Sequence, residues 1–185
     1  MDKGRAAGLG AAPGGGLEAF LRAVSAHRRV TVDTCCCIYH LNSRSDRHEY
    51  GRGLFLLAAR GDISIDLPGI TYHELLVLPF KRGSLRELQV ALSLTKQQAG
   101  VALQQVTETI LMAAAQIRAI TSLLAPDALV VASAAIHGSS AVVSNDKAFK
   151  DINGISMLKL PLAGLRPIPM PAYIHLDDFR PAHAS

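Results

Sequence analysis

Apolar positions follow two rhythms along the chain. Leu17, Phe20, Leu21 and Val24 fall at spacings 0, 3, 4 and 7, the stripe of a short amphipathic helix, which runs out near His27 to Arg29. Arg29-Val-Thr-Val-Asp33 is then a β-branched run ending in an acid, and Thr34 to Leu41 is apolar and opens on a threonine. A strand followed by a helix is predicted there. Leu54 to Arg60 predicts a helix closed by Gly61, Ile63-Ser-Ile65 a second strand, and Thr71 to Phe80 a helix entered after Pro68-Gly69.

From Leu85 to Leu124 the pattern is helical, rich in Ala, Leu and Gln, with a break near Gly100. Pro126 starts another helix that Gly138 closes. Ala141-Val-Val143 predicts a third strand, Asp146 to Asp151 a short helix, and Ile155 to Leu160 a fourth strand. Strands alternating with helices predict a parallel sheet covered on both faces. Beyond Pro161 the tail is proline-rich, and Tyr173-Ile-His-Leu176 is its one strand-like piece, an edge strand or an arm. The expected organisation is a Gly/Ala-rich leader over residues 1–16, a domain over 17–160 that includes the helix at 17–29, and an extension over 161–185.

Composition narrows the class. The chain has 185 residues, 49% hydrophobic and 18% charged, the balance of one folded domain. Lys and Arg outnumber Asp and Glu by 19 to 15, a mild preference for anionic partners. Cys35, Cys36 and Cys37 are the only cysteines and are consecutive. They form neither a spaced disulfide framework nor a CxxC pair, so a reducing, cytoplasmic compartment is expected. No run approaches the roughly 20 apolar residues of a membrane span, since Ser133, His137, Gly138, Ser139 and Ser140 interrupt Ala128 to Val143. Neither a P-loop, a GxGxxG nor a Ser/His/Asp order is present, which excludes Walker NTPases, classical dinucleotide enzymes and serine hydrolases.

Four of the 15 acids stand at predicted junctions. Asp33 ends the first strand, Glu74 lies in the first turn of a helix, Asp127 follows Pro126 at a helix start, and Asp146 follows a strand. In an open parallel sheet the strand C-termini share one edge, so residues far apart in sequence converge there. Clustered carboxylates suit Mg²⁺ or Mn²⁺, hard cations that serve phosphodiester hydrolysis. Each acid alone also has an ordinary reading: Thr71-x-x-Glu74 as a capping box, Asp127 as a first-turn acid facing the helix dipole, Ser144-Asn-Asp146 as a cap.

Several strings carry a family likeness. Val30-Thr-Val-Asp33-Thr34, Ile38-Tyr-His-Leu41 and Thr71-Tyr-His-Glu74-Leu-Leu-Val77, with Pro79 and Lys81-Arg-Gly83, resemble the first half of PIN-domain ribonucleases, VapC-type toxins in particular. Pro126-Asp-Ala-Leu129 with Ala132 and Ala134, then Ala141-Val-Val-Ser144-Asn-Asp146-Lys-Ala-Phe149, resemble the second half, so the likeness spans about Val30 to Leu160. The resemblance implies a three-layer α/β/α sandwich and a Mg²⁺- or Mn²⁺-dependent endoribonuclease. By position, Asp33, Glu74, Asp127 and Asp146 match the metal-holding acids, and Thr34 and Ser144 match supporting hydroxyls. It further implies a homodimer and a VapB-like antitoxin partner. Ser144 replaces the family's threonine but keeps the hydroxyl, and the leader, first helix and long tail are additions.

Lys81 and Arg82, with Lys147 and Lys150 beside Asp146, are candidates to line an RNA groove or are a solvated rim. Arg44, Arg47, His48 and Arg52 form a basic loop and helix entry that is a candidate to meet an antitoxin or RNA, or is plain surface. Adjacent helical residues point about 100° apart, so the three cysteines cannot address one ion and read as buried packing. His40 reads as a polar tip at its helix end, and His73 has no assigned role. A scaffold or binding module on the same fold is the competing functional class. A phospho-acceptor receiver fits poorly, because Asp33 stands without an acidic neighbour at the strand end.

Overall fold

The computed structural model describes residues 16–149 and 154–160. Its five strands are β1 (Arg29–Val32), β2 (Ser64–Pro68), β3 (Val101–Gln104), β4 (Ala141–Val143) and β5 (Ser156–Leu158). All pair in parallel, in the order β3-β2-β1-β4-β5. Seven helices connect them: α1 (Leu17–Ser25), α2 (Thr34–Leu41), α3 (His48–Ala59), α4 (Gly69–Arg82), α5 (Leu85–Lys96), α6 (Glu108–Ile120) and α7 (Ala125–His137).

Strand alternation sends side chains to two covered faces. Val30, Val32, Ile65, Leu67, Ala141 and Val143 pack with Phe20 and Val24 of α1, Cys36 and Cys37 of α2 and Leu54 and Phe55 of α3. On the opposite face Val142 joins Ile110 of α6 and Val131 of α7. The result is the expected three-layer α/β/α sandwich, with α1 added to the first layer. No single helix among the described residues is long and apolar enough to cross a membrane; α6 and α7 qualify only as a pair bent by 119°.

Several expectations need correction. The stretch from Leu85 to Leu124 is not all helical: β3 separates α5 from α6 and forms the sheet edge. The helix α3 begins at His48, six residues before the predicted Leu54, despite Gly51 and Gly53. Gly51 is required there, because a Cβ at this position would lie 2.5 Å from the His40 backbone nitrogen. The second strand starts at Ser64 and runs on to Pro68. Thr71 is no cap, because α4 already starts at Gly69, and its buried hydroxyl donates to the Val32 carbonyl at 3.4 Å. After Asp146 the chain makes a turn up to Phe149 rather than a helix. The rest of that prediction lies outside the described residues, as do the leader and the strand-like piece at 173–176.

Candidate functional site

The strand order places a topological switch between β1 and β4. From β1 the chain steps outward to β2 and β3, then returns to lay β4 on the other side. Ligand crevices open beyond the strand C-termini at such a point. Asp33 follows β1 directly and caps α2, its Oδ1 accepting from the Thr34 backbone N–H at 2.7 Å. Ser144 follows β4 and donates its hydroxyl to Asp33 Oδ2 at 2.7 Å. The two carboxylate oxygens of Asp33 are thereby oriented, one by the start of α2 and the other by the neighbouring strand end.

Glu74 comes from the second turn of α4, and Thr34 Oγ1 donates to its Oε2 at 2.5 Å. The hydroxyl therefore ties the helix after β2 to the helix after β1. Asp146 receives its place from the same loop as Ser144: its backbone N–H donates to Ser144 Oγ at 3.0 Å, and its Oδ1 accepts from the Ala148 N–H at 2.8 Å. Asp127 stands in the first turn of α7, behind Pro126. It follows the elbow from α6 rather than a strand end, yet it reaches the same edge.

The field at Asp127 is set by its surroundings. Burial pushes the Asp127 carboxyl above the usual range, and the negative charges of Asp146, Asp33 and Glu74 push it further, against a backbone hydrogen bond at Leu124. All four predicted acids thus share one field. Among the described residues no three Asp, Glu, His or Cys side chains are gathered tightly enough to hold an ion as they stand. That spread is what mutual repulsion and the two hydroxyl tethers dictate. The donor set itself, carboxylate oxygens with no sulfur or imidazole, fits Mg²⁺ or Mn²⁺.

The basic candidates divide. Arg82 closes α4 and pairs with Glu87 at 3.0 Å, while Lys81 is exposed two helical turns beyond Glu74. Lys147 is exposed in the turn after Asp146, and Lys150 lies outside the described residues. Of the other basic stretch, Arg52 pairs with Glu49 at 3.3 Å, and Arg47 lies over the Tyr39 ring. His40 is no polar tip: its ring stacks on Phe55 with centroids 4.2 Å apart.

Three participants escaped the sequence reading. Lys159, just past β5, donates to the Asp146 carbonyl and lies 5.7 Å from the Phe149 ring centroid. Cys35 and Cys36 bond to the β4 end through sulfur. Asp66, in the middle of β2, is buried and accepts from Gln104 Nε2 at 2.6 Å and Ser139 Oγ at 2.8 Å. Nothing in spacing or composition signals the first two. For Asp66 the signal was an acid inside a strand whose two faces are both covered.

Solved structures that share this architecture include chains of toxin–antitoxin complexes. A chain of the VapBC2 complex of Rickettsia felis, solved on a fragment of promoter DNA, matches with a TM-score of 0.53 and 19% identity over 71% of this chain and 98% of its own. A toxin–antitoxin complex from Klebsiella pneumoniae gives 0.53 at 21% identity, covering 68% and 94%. Mycobacterium tuberculosis VapC20, a sarcin-ricin loop cleaving toxin, gives 0.51 at 17% identity, covering 61% and 86%. No curated protein matches the sequence. The PIN domain model matches residues 30–155, which runs from the first residues of β1 through all four converging acids, and the chain therefore belongs to the PIN-domain family.

Proposed function

We propose that this protein is a Mg²⁺- or Mn²⁺-dependent endoribonuclease that hydrolyses RNA phosphodiester bonds, the toxin of a VapBC-type pair. The observation that carries the reading is the convergence of Asp33, Glu74, Asp127 and Asp146 at the switch point, with Asp127 pushed up by burial and then by its three neighbours. Uncompensated, that repulsion disfavours folding; a divalent cation offsets it.

Asp33, Glu74, Asp127 and Asp146 hold the ion. When bound, it polarises the scissile phosphate and activates the attacking water. Ser144 fixes the Asp33 carboxylate from one side and Thr34 the Glu74 carboxylate from the other. Both hydroxyls leave second lone pairs on those carboxylate oxygens free for coordination. Lys81 and Lys147, with Arg82 and Lys150, contact RNA phosphates beside the acids; Arg82 exchanges its bond to Glu87 for that purpose.

A VapB-like antitoxin is the proposed protein partner, supported by neighbours solved as VapBC and toxin–antitoxin complexes. Domain 17–160 acts in the cytoplasm as a homodimer. VapC20 is a sarcin-ricin loop cleaving toxin, which makes a structured RNA loop the first substrate to try.

The test is cleavage of a pool of single-stranded and structured RNAs by purified protein in Mn²⁺, Mg²⁺ or EDTA, with Asp33→Asn alongside. Cuts that need metal and disappear in the variant are expected. RNA retained without turnover in every metal, by wild type and variant alike, would instead establish the silent scaffold.

A further inference from the structure

We propose that Cys35 and Cys36 are positioning residues, a pair of thiols that clamp the end of β4 onto the first turn of α2 and so hold Ser144 and Asp146 against Asp33. The inference rests on the metal-site reading above. Cys36 Sγ donates to the Val143 carbonyl at 3.1 Å, an oxygen that also accepts the Asp33 backbone N–H at 3.1 Å. The Asn145 backbone N–H donates to Cys35 Sγ at 3.3 Å. Between these two contacts Ser144 Oγ reaches Asp33 Oδ2.

Three consecutive residues, 143, 144 and 145, are thus pinned in turn by Cys36, Asp33 and Cys35. Asp146 hangs from the last of them through its own bond to Ser144 Oγ. The two sulfurs flank the single hydroxyl that orients Asp33, so releasing either one frees the loop that carries two site groups. The Asn145 side chain gives the loop no alternative anchor through its amide nitrogen, which is buried without a hydrogen-bond partner.

Sulfur suits this task better than oxygen. The C–S bond is longer and the atom larger, so a thiol spans the gap between a helix turn and a strand end that a hydroxyl bridges less well. A thiol is a weak donor that tolerates burial. Cys37 makes no such contact to the loop; it is buried among the apolar residues on that face of the sheet. The consecutive run therefore divides into two clamps and one packing residue.

The experiment compares wild type, Cys35→Ala, Cys35→Ala/Cys36→Ala, Cys35→Ser/Cys36→Ser and Asp33→Asn as full-length chains. Mn²⁺ binding is measured by titration calorimetry, thermal unfolding in EDTA, and amide hydrogen exchange at Asn145 and Asp146. Alanine at Cys35 alone is expected to speed exchange at Asn145. In the double alanine variant Mn²⁺ affinity should fall by about tenfold or more, the usual effect of removing a group that orients a ligand, and serine should restore part of it. An alanine pair that binds Mn²⁺ within twofold of wild type overturns the clamp and leaves the cysteines as packing. If the pair does not fold, Cys35→Ala decides: unchanged exchange and affinity overturn the proposal. Wild-type affinity in Asp33→Asn, or no binding by wild type, refutes the metal site itself and with it any positioning role.

Discussion

Replacing Asp127 by Asn should make the protein more stable without metal and less stable with it. Asp127 is an acid whose folded pKa lies above its ordinary value of 3.8, through burial first and then through Asp146, Asp33 and Glu74. For such a group the unfolded chain gives up its proton more readily than the folded one, so ionisation at neutral pH works against folding. Relative stability from this carboxyl is full below pH 3.8 and lost as pH rises through the raised folded value. Asparagine removes the charge and keeps the shape. Because the group is only partly buried, the gain belongs to the range of exposed pairs, about 0.2–1 kcal/mol, which is roughly 0.4–4 °C in Tm for a chain of this size. Ligand linkage is larger: a divalent ion at a hundredfold excess over its Kd stabilises wild type by about 2.7 kcal/mol. Differential scanning calorimetry at pH 7.5 should therefore show Asp127→Asn above wild type in EDTA and below it in excess Mn²⁺. At pH 3, where both folded and unfolded carboxyls are protonated, the EDTA difference should vanish. A variant less stable than wild type in EDTA would mean that Asp127 is held by favourable contacts, and the argument from repulsion would fail.

Two further outcomes test the scaffold. Asp66→Ala leaves the buried Ser139 hydroxyl and the half-buried Gln104 amide without their acceptor, and should cost about 1–3 kcal/mol by urea unfolding; no measurable loss would show that the network reorganises freely. His40 is held down to about 4, by burial first and then by the charge of His48, so its neutral form belongs to the fold. That contribution is complete above the ordinary value of 6.5 and fades as pH falls from there toward 4. His40→Phe, which keeps a ring to stack on Phe55, should flatten the slope of stability across that window, and an unaltered slope would assign it to other groups.

Much of the sheet and all four acids were legible because their signals are local. Asp33, Asp127 and Asp146 sit beside helix starts or strand ends that Thr34, Pro126 and the Ala-Val-Val run announce on their own. The edge strand β3 was not legible. It is four residues long and only partly buried, so it lacks a continuous apolar run, and the Ala, Leu and Gln around it favour helix. The start of α3 was hidden for the opposite reason. Gly51 and Gly53 disfavour helix locally, but contact with the α2 backbone selects a residue without a Cβ. Lys159 and the cysteine sulfurs act across contacts of 13 and more than 100 residues, which no window along the chain contains.

The same sheet handles five carboxylates in two opposite ways, and the difference explains what each set is for. Asp66 lies beneath α7 with a neutral amide on one oxygen, a hydroxyl on the other and Arg29 3.9 Å away. Its charge is met inside the fold, and Thr31 extends the network by donating to Ser139 at 2.9 Å. Three of the acids at the C-terminal edge, Asp33, Glu74 and Asp146, receive hydroxyl and backbone N–H donors that fix their direction, while the charges of these three still reach Asp127. Donors that orient without neutralising leave a standing negative field at the mouth of the crevice. Asp66 therefore contributes to stability whether or not metal is present. On the proposed metal-site reading the edge set contributes only when a cation arrives, and this coupling makes the metal-dependent crossover of Asp127→Asn a test of function as well as of electrostatics.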